Sequence, residues 1–583
     1  MLATAPSLES VTATAVRPQS RQSRWLLPDA PDPAAVAALC RELHLPELVC
    51  RLLVARGHRD IEDAKRYLRP RLEHLSDPST LGDLDRAAER IVRAVRNRET
   101  ILIHGDYDVD GICSTTILTR SLTWLGGAVV PFIPHRRDGY DLTAAGVAAA
   151  RAAGATLVIT CDCGTSALAP VAELQRAGID VIVTDHHLPG GPLPESYAVL
   201  NPRKPGCPSL DKDLCAAGVA FKLAMAVTKA MGASPNPVFS MLDLVPLATI
   251  ADVAPLRGEN RVLSIYGLRL LNETKNVGLR AMIRAAGLDK RQITAGRVGF
   301  ILAPRLNAAG RVGSALRGVE LLMATEESVA NPIARELEEL NGHRQQLDRE
   351  ALAQARDMVL AIDLDQTYGL VLAAEGWHPG VIGIVASRIV EEFGRPTILI
   401  ALEGDEGKGS GRSISPFDLH AGISRCRELL LRFGGHRSAA GVTIARDRVP
   451  DFARTFNEVA KETLTPADLI PELRADLEVE LQDVTDGLEA LLRHVEPCGI
   501  GNPSPVLIAR GVTVVAPPKV VGKDGLRVLL HQNATELTAL GWGMAHRIGE
   551  LLVGSTVDVA FRLERDEWNG ESRLQARLAD FRA

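Results

Sequence analysis

Between residues 100 and 200 the chain alternates short apolar runs with amphipathic segments. TILIH (100–104), AVVPFI (128–133), TLVITC (156–161) and DVIVT (180–184) are rich in β-branched residues, and 165–177 has its apolar positions at helical spacing. The alternation reads as βαβ units, which build a mainly parallel sheet covered by helices. From 212 to 285, Ala, Leu and Val dominate at helical spacing. After Pro332, the stretch ELEELNGHRQQLDREALAQARDMVLA sets Leu337, Leu340 and Leu347 along one side and predicts a long helix bridging two domains.

A second α/β region starts near 368 with YGLVLAAE, continues through a predicted helix at 381–393 and the run PTILIAL (396–402), and ends near 465. From 505 the pattern turns strand-like, with PVLIARGVTVV, LRVLLHQ and STVDVAFRLERDEWNGESRLQARL, and Asn569-Gly570 is a strong hairpin signal. A small all-β barrel of the OB type fits this end of the chain. The fold class expected is α/β: two α/β domains joined by a long helix, plus a C-terminal all-β OB-like domain. The segments are a disordered tail (1–25), an N-terminal helical segment (26–99), a first α/β domain (100–285), a helical connector with a basic segment (286–365), a second α/β domain (366–465) and the barrel (466–583).

At 583 residues, with 46% hydrophobic and 24% charged side chains, the composition is that of a multidomain globular protein. No segment offers the roughly 18 consecutive apolar residues of a membrane span. The first residues, rich in Ser, Thr, Ala and Arg, lack the apolar core of a secretory signal; an organellar transit peptide is the alternative to a disordered tail. Nine Cys without regular spacing give neither a disulfide framework nor a zinc-type pair, which points to reducing cytosol. The net charge of -6 hides two basic islands. Residues 290–319 carry Lys290, Arg291, Arg297, Arg305, Arg311 and Arg317 without one acid, and 429–446 carry Arg432, Arg437 and Arg446 beside His436.

The candidate chemistry begins at HGDYDVDG, where Asp106, Asp108 and Asp110 follow a predicted strand ending at His104. Crowded carboxylates repel, and a bound divalent cation removes the conflict. Asp-x-Asp-x-Asp-Gly alone also opens calcium loops or forms a solvated acidic turn. Two further predicted strands, however, end in Asp162 (TCDCG) and in Asp185, His186 and His187 (TDHHLPGG), and Asp252 lies among apolar neighbours in LATIADVAPL. Ligand-type residues at successive carboxyl ends of a parallel sheet face one crevice. Oxygen donors with an imidazole suit Mn²⁺ or Mg²⁺, and six candidate ligands suit a two-metal site for phosphoryl displacement. Cys161 and Cys163 read as core residues. Aromatic side chains make up 4% of the chain, so an extended stacking platform is not expected; Tyr140, Trp377, Phe417, Trp542 and Trp568 are the candidates.

HGDYDVDG, CDCG, TDHH and the distal Asp252 resemble the successive motifs of the DHH phosphoesterase superfamily, and GSGRS (409–413) with FGGHRSAAG (433–441) resembles its associated substrate-binding domain. APRLNAAGRVGSA (303–315) and EPCGIGNPSP (496–505) resemble the RecJ branch of that superfamily, bacterial exonucleases specific for single-stranded DNA. The resemblance covers nearly the whole chain after about residue 25. It implies that Asp108, Asp110, Asp162, His186 and Asp252 bind two Mn²⁺ or Mg²⁺ ions with Asp162 as the bridge, and that His104 and Asp106 are further ligand candidates in the same motif. His187 is then a general acid or phosphate contact, with Asp185 orienting the histidines. Arg305 and Arg311, framing Asn307, are expected on backbone phosphates, with structural ion pairing as the alternative. Ser410, Arg412 and His436 resemble the contacts to the 5′ end of the strand.

The activity so implied is 5′→3′ hydrolysis of single-stranded DNA to 5′-mononucleotides in repair and recombination. The expected protein is a cytoplasmic monomer with no membrane association, acting beside a single-strand-binding protein and a helicase. The rivals are an oligonucleotide phosphodiesterase of the same superfamily and a catalytically inactive replication scaffold.

Overall fold

The computed structural model describes residues 23–568 and 571–583; the tail at 1–22 and the Asn569-Gly570 turn lie outside the described residues. The tail expected to reach residue 25 gives way earlier to a strand, β1 (Arg24–Leu26), paired in parallel with Glu472–Arg474. Side chains explain the order: Trp25 Nε1 donates to Asp580 Oδ2 at 2.8 Å, and the Arg582 guanidinium lies 4.4 Å from the Trp25 ring centre.

The first α/β domain is built on β2 (Thr100–Gly105), β3 (Ala128–Phe132), β4 (Leu157–Cys161), β5 (Asp180–Thr184) and β6 (Ala198–Leu200). They form one parallel sheet in the order β3-β2-β4-β5-β6. The chain order reverses beside β2, and such a switch point opens a crevice at the carboxyl ends of the strands. Ile101, Ile103, Leu157 and Ile159 are buried on one face against the helices Val109–Trp124 and Ala216–Ala230, while Leu102, Val158 and Val181 pack on the other.

The connector helix Glu327–Leu360 holds Pro332 inside it, so the helix starts before that residue rather than after it. Its 34 residues span about 50 Å. Ala330, Ile333, Ala334 and Leu337 join the core of the first domain, whereas Ala351, Leu352, Ala355 and Val359 join that of the second.

The second domain carries a mixed sheet of β7 (Leu370–Glu375), β8 (Thr397–Glu403), β9 (Glu406–Arg412), β10 (Arg432–His436) and β11 (Ala439–Ala445), in the order β10-β11-β9-β8-β7. On β9 the glycines Gly407, Gly409 and Gly411 occupy the core-facing positions; a Cβ at Gly409 would lie 2.4 Å from Val442 Cγ2. Strand alternation therefore turns Lys408, Ser410 and Arg412 to the opposite face.

After β12 (Glu472–Arg474) and β13 (Leu477–Glu478), the C-terminal sheet contains β14 (Leu507–Val514), β15 (Lys519–Val521), β16 (Gly525–Gln532), β17 (Thr535–Gly541), β18 (Thr556–Trp568) and β19 (Glu571–Arg582). Its order is β13-β14-β18-β19-β17-β16-β15, and an added β14–β16 pairing closes it on itself as in an OB barrel. The N-terminal helices do not form a separate unit. Leu39, Leu52 and Leu53 share one apolar core with Leu507, Val528 and Phe561 of the barrel.

Candidate active site

The turn after β2 depends on two glycines. A Cβ at Gly105 would meet Thr115 Oγ1 at 2.1 Å, and one at Gly111 would meet the Asp106 carbonyl oxygen at 2.3 Å. The loop thus folds back tightly onto the helix Val109–Trp124. Asp108 caps that helix, accepting from the N–H groups of Asp110 (2.9 Å) and Gly111 (3.1 Å). The fully buried Asp110 accepts from the N–H groups of Ala216 (2.8 Å) and Ala217 (2.7 Å), where the helix Ala216–Ala230 begins and its dipole favours an anion.

Asp162 follows β4 in the left-handed region, with φ 66°, and its N–H donates to the Thr184 carbonyl at 3.0 Å. A non-glycine residue held there signals local strain of the kind found at functional sites. His186 follows β5, and Asp252 terminates the helix Val245–Ala251. The side chains converge in three overlapping groups: Asp106, Asp108 and Asp162; Asp110, His186 and Asp252; and Asp162, His186 and His187. His186 Nε2 lies 3.1 Å from Asp162 Oδ1, 3.5 Å from Asp252 Oδ2 and 3.8 Å from Asp110 Oδ2.

Burial and mutual repulsion push the carboxyls of Asp106, Asp110, Asp162 and Asp252 upward. Asp110 rises to about 7 through burial and the neighbouring Asp108. Asp106, Asp162 and Asp252 rise well above the ordinary carboxylate range, first through burial and then through the adjacent aspartates. Burial holds His186 neutral, at about 3. Asp162 Oδ1 and His186 Nε2 are buried without a hydrogen-bond partner. Orphaned acceptors and like charges at one point are what a divalent cation satisfies, so these residues fit a hard metal with oxygen and imidazole ligands.

His187 differs from its neighbour. Burial opposes its charge, but the bond from Nδ1 to Asp185 Oδ1 (2.7 Å) outweighs it and lifts the imidazole to about 9. Asp185 in turn accepts from the N–H groups of Thr165, His186 and His187, and the His187 contact holds it well below its usual value against burial. Tyr140 Oη sits 3.0 Å from His187 Nε2. His104 stands apart from the ligand groups: it is fully buried, at about 4 through burial, with Nδ1 3.6 Å from Cys163 Sγ. A Cβ on Gly146 would touch its Nε2 at 2.6 Å, so that nitrogen faces a helix and not the other ligands. Cys161 and Cys163 are buried, as expected.

The basic segment divides by residue. Arg305 spends its guanidinium on Glu338 of the connector helix and on the Ile301 carbonyl, which is the structural ion pairing rather than a phosphate contact. Asn307 Oδ1 accepts from the Val109 N–H at 3.2 Å, so this half-buried side chain braces the aspartate loop. Arg311 Nη1 donates to the Gly380 carbonyl at 3.1 Å across the domain boundary. It is lowered to about 10 by burial and by Arg136, Arg344 and Arg412, with Asp108 acting in the opposite sense. Ser410 and Arg412 meet at 3.2 Å beside the start of the helix Ile382–Phe393, where a Cβ on Gly383 would lie 2.9 Å from Ser410 Oγ. His436 lies on the exposed strand β10, and its imidazole, only partly shielded from water, is lowered by that partial burial and then by Arg412 and His187. Cations of the second domain therefore face the carboxylates of the first.

Three regions match family descriptions: residues 100–249 the DHH family, N-terminal domain; 366–462 the DHHA1 domain; and 475–580 the RecJ OB domain. The single-stranded-DNA-specific exonuclease RecJ of Bacillus subtilis is 36% identical over 561 residues, covering 96% of this chain and 70% of the relative. That of Escherichia coli K12 is 34% identical over 556 residues, covering 91% and 95%. The chain belongs to the RecJ family. The crystal structure of RecJ from Thermus thermophilus in complex with Mn²⁺ superposes with a TM-score of 0.83 at 33% identity, covering 96% of this chain and 79% of that one; the same protein with Mg²⁺ gives 0.77.

Against this RecJ-family frame, the sequence reading missed Arg136. It lies on a short helical turn after β3, with its guanidinium 4.7 Å from the Tyr107 ring centre and in electrostatic reach of Asp106, Arg311 and Arg412. The available signal is position: among β2, β3, β4 and β5, β3 alone has a carboxyl end with no role in the sequence reading, and His135-Arg136-Arg137 follows it. Of the stacking candidates, Trp377 and Phe417 are core residues, whereas Tyr140 (48%) and Trp542 (51%) are exposed. The side chain of Trp568 lies outside the described residues.

Proposed function

We infer that this chain is a metal-dependent exonuclease that degrades single-stranded DNA 5′→3′, hydrolysing phosphodiester bonds to release 5′-mononucleotides. The observation that carries this is the overlap of the acidic groups, in which Asp162 and His186 each belong to two. Asp106 and Asp108 would hold one divalent ion, Asp110, His186 and Asp252 the other, with Asp162 shared. When bound, Mn²⁺ or Mg²⁺ supplies an activated water and neutralises charge on the phosphate oxygens.

The protein's own groups do the rest. Asp185 keeps His187 protonated, which suits it to donate a proton or a charged hydrogen bond to the leaving side. Arg311 and Arg412, with Ser410 and His436, form the anion-holding wall opposite, and Arg136 closes it beside Tyr107. Asn307 and Arg305 position the aspartate loop and the connector. The segments 26–99, 100–285, 286–365, 366–465 and 466–583 serve as the working division of the chain, with the helices within 33–68 joined to the barrel as one body and the helix Leu84–Arg96 packed on the first α/β domain. No described helix is long and apolar enough to cross a membrane. A cytoplasmic monomer working in repair and recombination, beside a single-strand-binding protein and a helicase, fits the family.

Digestion of 5′- and 3′-labelled single and double strands with Mn²⁺ or Mg²⁺ tests this reading. Mononucleotides released first from the 5′ end of single strands support it. Rapid cleavage of dinucleotides with long strands left intact would refute it in favour of an oligonucleotide phosphodiesterase.

A further inference from the structure

EPCGIGNPSP is the sequence motif left without a role in the chemistry. Its residues 499–502 form a tight turn closed by two backbone bonds, Gly499 N–H to the Asn502 carbonyl (2.9 Å) and Asn502 N–H to the Gly499 carbonyl (3.1 Å). Asn502 is buried and accepts from Tyr67 Oη at 2.7 Å while donating to the carbonyls of Val495 and Pro497. The turn is thus fixed to the N-terminal helices and the barrel.

Its tip reaches elsewhere. The Ile500 carbonyl accepts from the Leu256 N–H at 2.8 Å. A Cβ at Gly501, where φ is +73°, would lie 2.8 Å from Arg257 Nε and 2.9 Å from Pro255 Cβ, and one at Gly499 would lie 2.8 Å from Leu256 Cδ1. Residues 255–257 are the far end of the short loop that opens with Asp252. Between them stands Val253, a β-branched residue at φ 60° that is 56% exposed. A Val in the left-handed region without burial to repay it persists only where flanking contacts impose it. One flank is the helix end, where Ala254 N–H donates to the Thr249 carbonyl at 3.0 Å. The other is the turn, together with Asn260 Nδ2 donating to the Pro255 carbonyl at 3.2 Å.

We propose that the 499–502 turn is a positioning element for the metal centre: by clamping Leu256 and Pro255 it holds the strained Asp252 loop in place, so that the barrel side of the molecule sets the metal affinity of the Asp110, His186 and Asp252 group. This rests on Asp252 being a ligand, as inferred above. The Asp106, Asp108 and Asp162 group, borne on other loops, is independent of the turn.

The test is Mn²⁺ binding to the full-length, metal-stripped protein, followed by electron paramagnetic resonance of free Mn²⁺, with activity as a second reading. Gly501→Ala should weaken one Mn²⁺ about tenfold, the loss typical when a group supporting a ligand is removed, and leave the other Mn²⁺ and the affinity for single-stranded DNA unchanged. Val253→Gly, which relieves the strain, should restore most of that loss when combined with Gly501→Ala. A folding defect is read from the metal-free melting curve; if Gly501→Ala melts abnormally, Gly499→Ala replaces it. Asp252→Ala separates the two inferences. Should it leave both Mn²⁺ ions bound as in the native protein, the ligand assignment fails. Should it abolish one while Gly501→Ala and Gly499→Ala bind both normally, the turn has no positioning role.

Discussion

Asp185 accepts the Nδ1 proton of His187 at 2.7 Å and keeps that imidazole charged beside a histidine that burial keeps neutral. His186 stays neutral and free to coordinate, whereas His187 is charged up to about 9. Burial thus leaves one ring a neutral nitrogen donor, and the Asp185 bond makes its neighbour a cation.

Asp185→Asn should therefore lower the His187 value from about 9 toward the ordinary imidazole value. The alkaline limb of the activity profile should move to lower pH, with kcat reduced about 10²-fold and KM little changed. Nuclear magnetic resonance titration of His187 beside a pH-rate profile checks both; a native titration in the variant would refute the pairing.

Asp162→Ala removes the residue shared by two ligand groups. Nuclease activity should fall at least about 10³-fold, while binding of single-stranded DNA persists. Because the lost carboxyl was buried among like charges, the metal-free variant should melt at a higher temperature than the native chain. Unchanged activity would remove Asp162 from the centre.

The pH dependence of the metal-free protein follows from Asp110, raised by burial and Asp108 from 3.8 to about 7. A carboxyl whose folded value is raised stabilises the protein while protonated, and that contribution disappears as pH climbs through about 7. Melting in chelator should thus occur at a lower temperature at pH 8 than at pH 6. Saturating Mn²⁺ should reverse the trend, since the ion competes with protons for the same oxygens. Calorimetry with and without metal measures the difference.

Arg305 and Arg311 share one motif and one helix, yet six residues set them about 120° apart around its axis. Arg305 faces the connector and pairs with Glu338; Arg311 faces Gly380 and the arginines of the cleft. Arg305→Ala should lower the melting temperature with KM unchanged. Arg311→Ala should raise KM for single-stranded DNA about tenfold and flatten its salt dependence, with little effect on melting.

That pair also marks where the sequence ceased to be legible. The strands β2, β4 and β5 and their Asp- and His-bearing ends could be read because β-branched runs and turn residues are local signals. The three-residue β6 is too short to leave a pattern. The core shared by Leu39 and Phe561 joins residues far apart in the chain, so no window reveals it. Asp106 and His104 lie in one motif, but the chain turns one into the cluster with Asp108 and Asp162 and buries the other against Gly146, a distinction fixed only by packing.

Trp542 brings the barrel into the account of binding. It is 51% exposed beside Gly522 and Gly525, where the absence of side chains leaves the indole face open. Stacking of a base on such a ring contributes about 1–3 kcal/mol. Strands long enough to reach from the metal centre to the barrel should bind Trp542→Ala about tenfold more weakly than the native protein. Tetranucleotides, held by the cleft alone, should bind equally well, because the substitution lies outside it. Fluorescence anisotropy across a series of oligonucleotide lengths reads the difference as a break in the affinity curve. A uniform loss at every length would place the effect in folding, and no loss at any length would take the indole out of the DNA path.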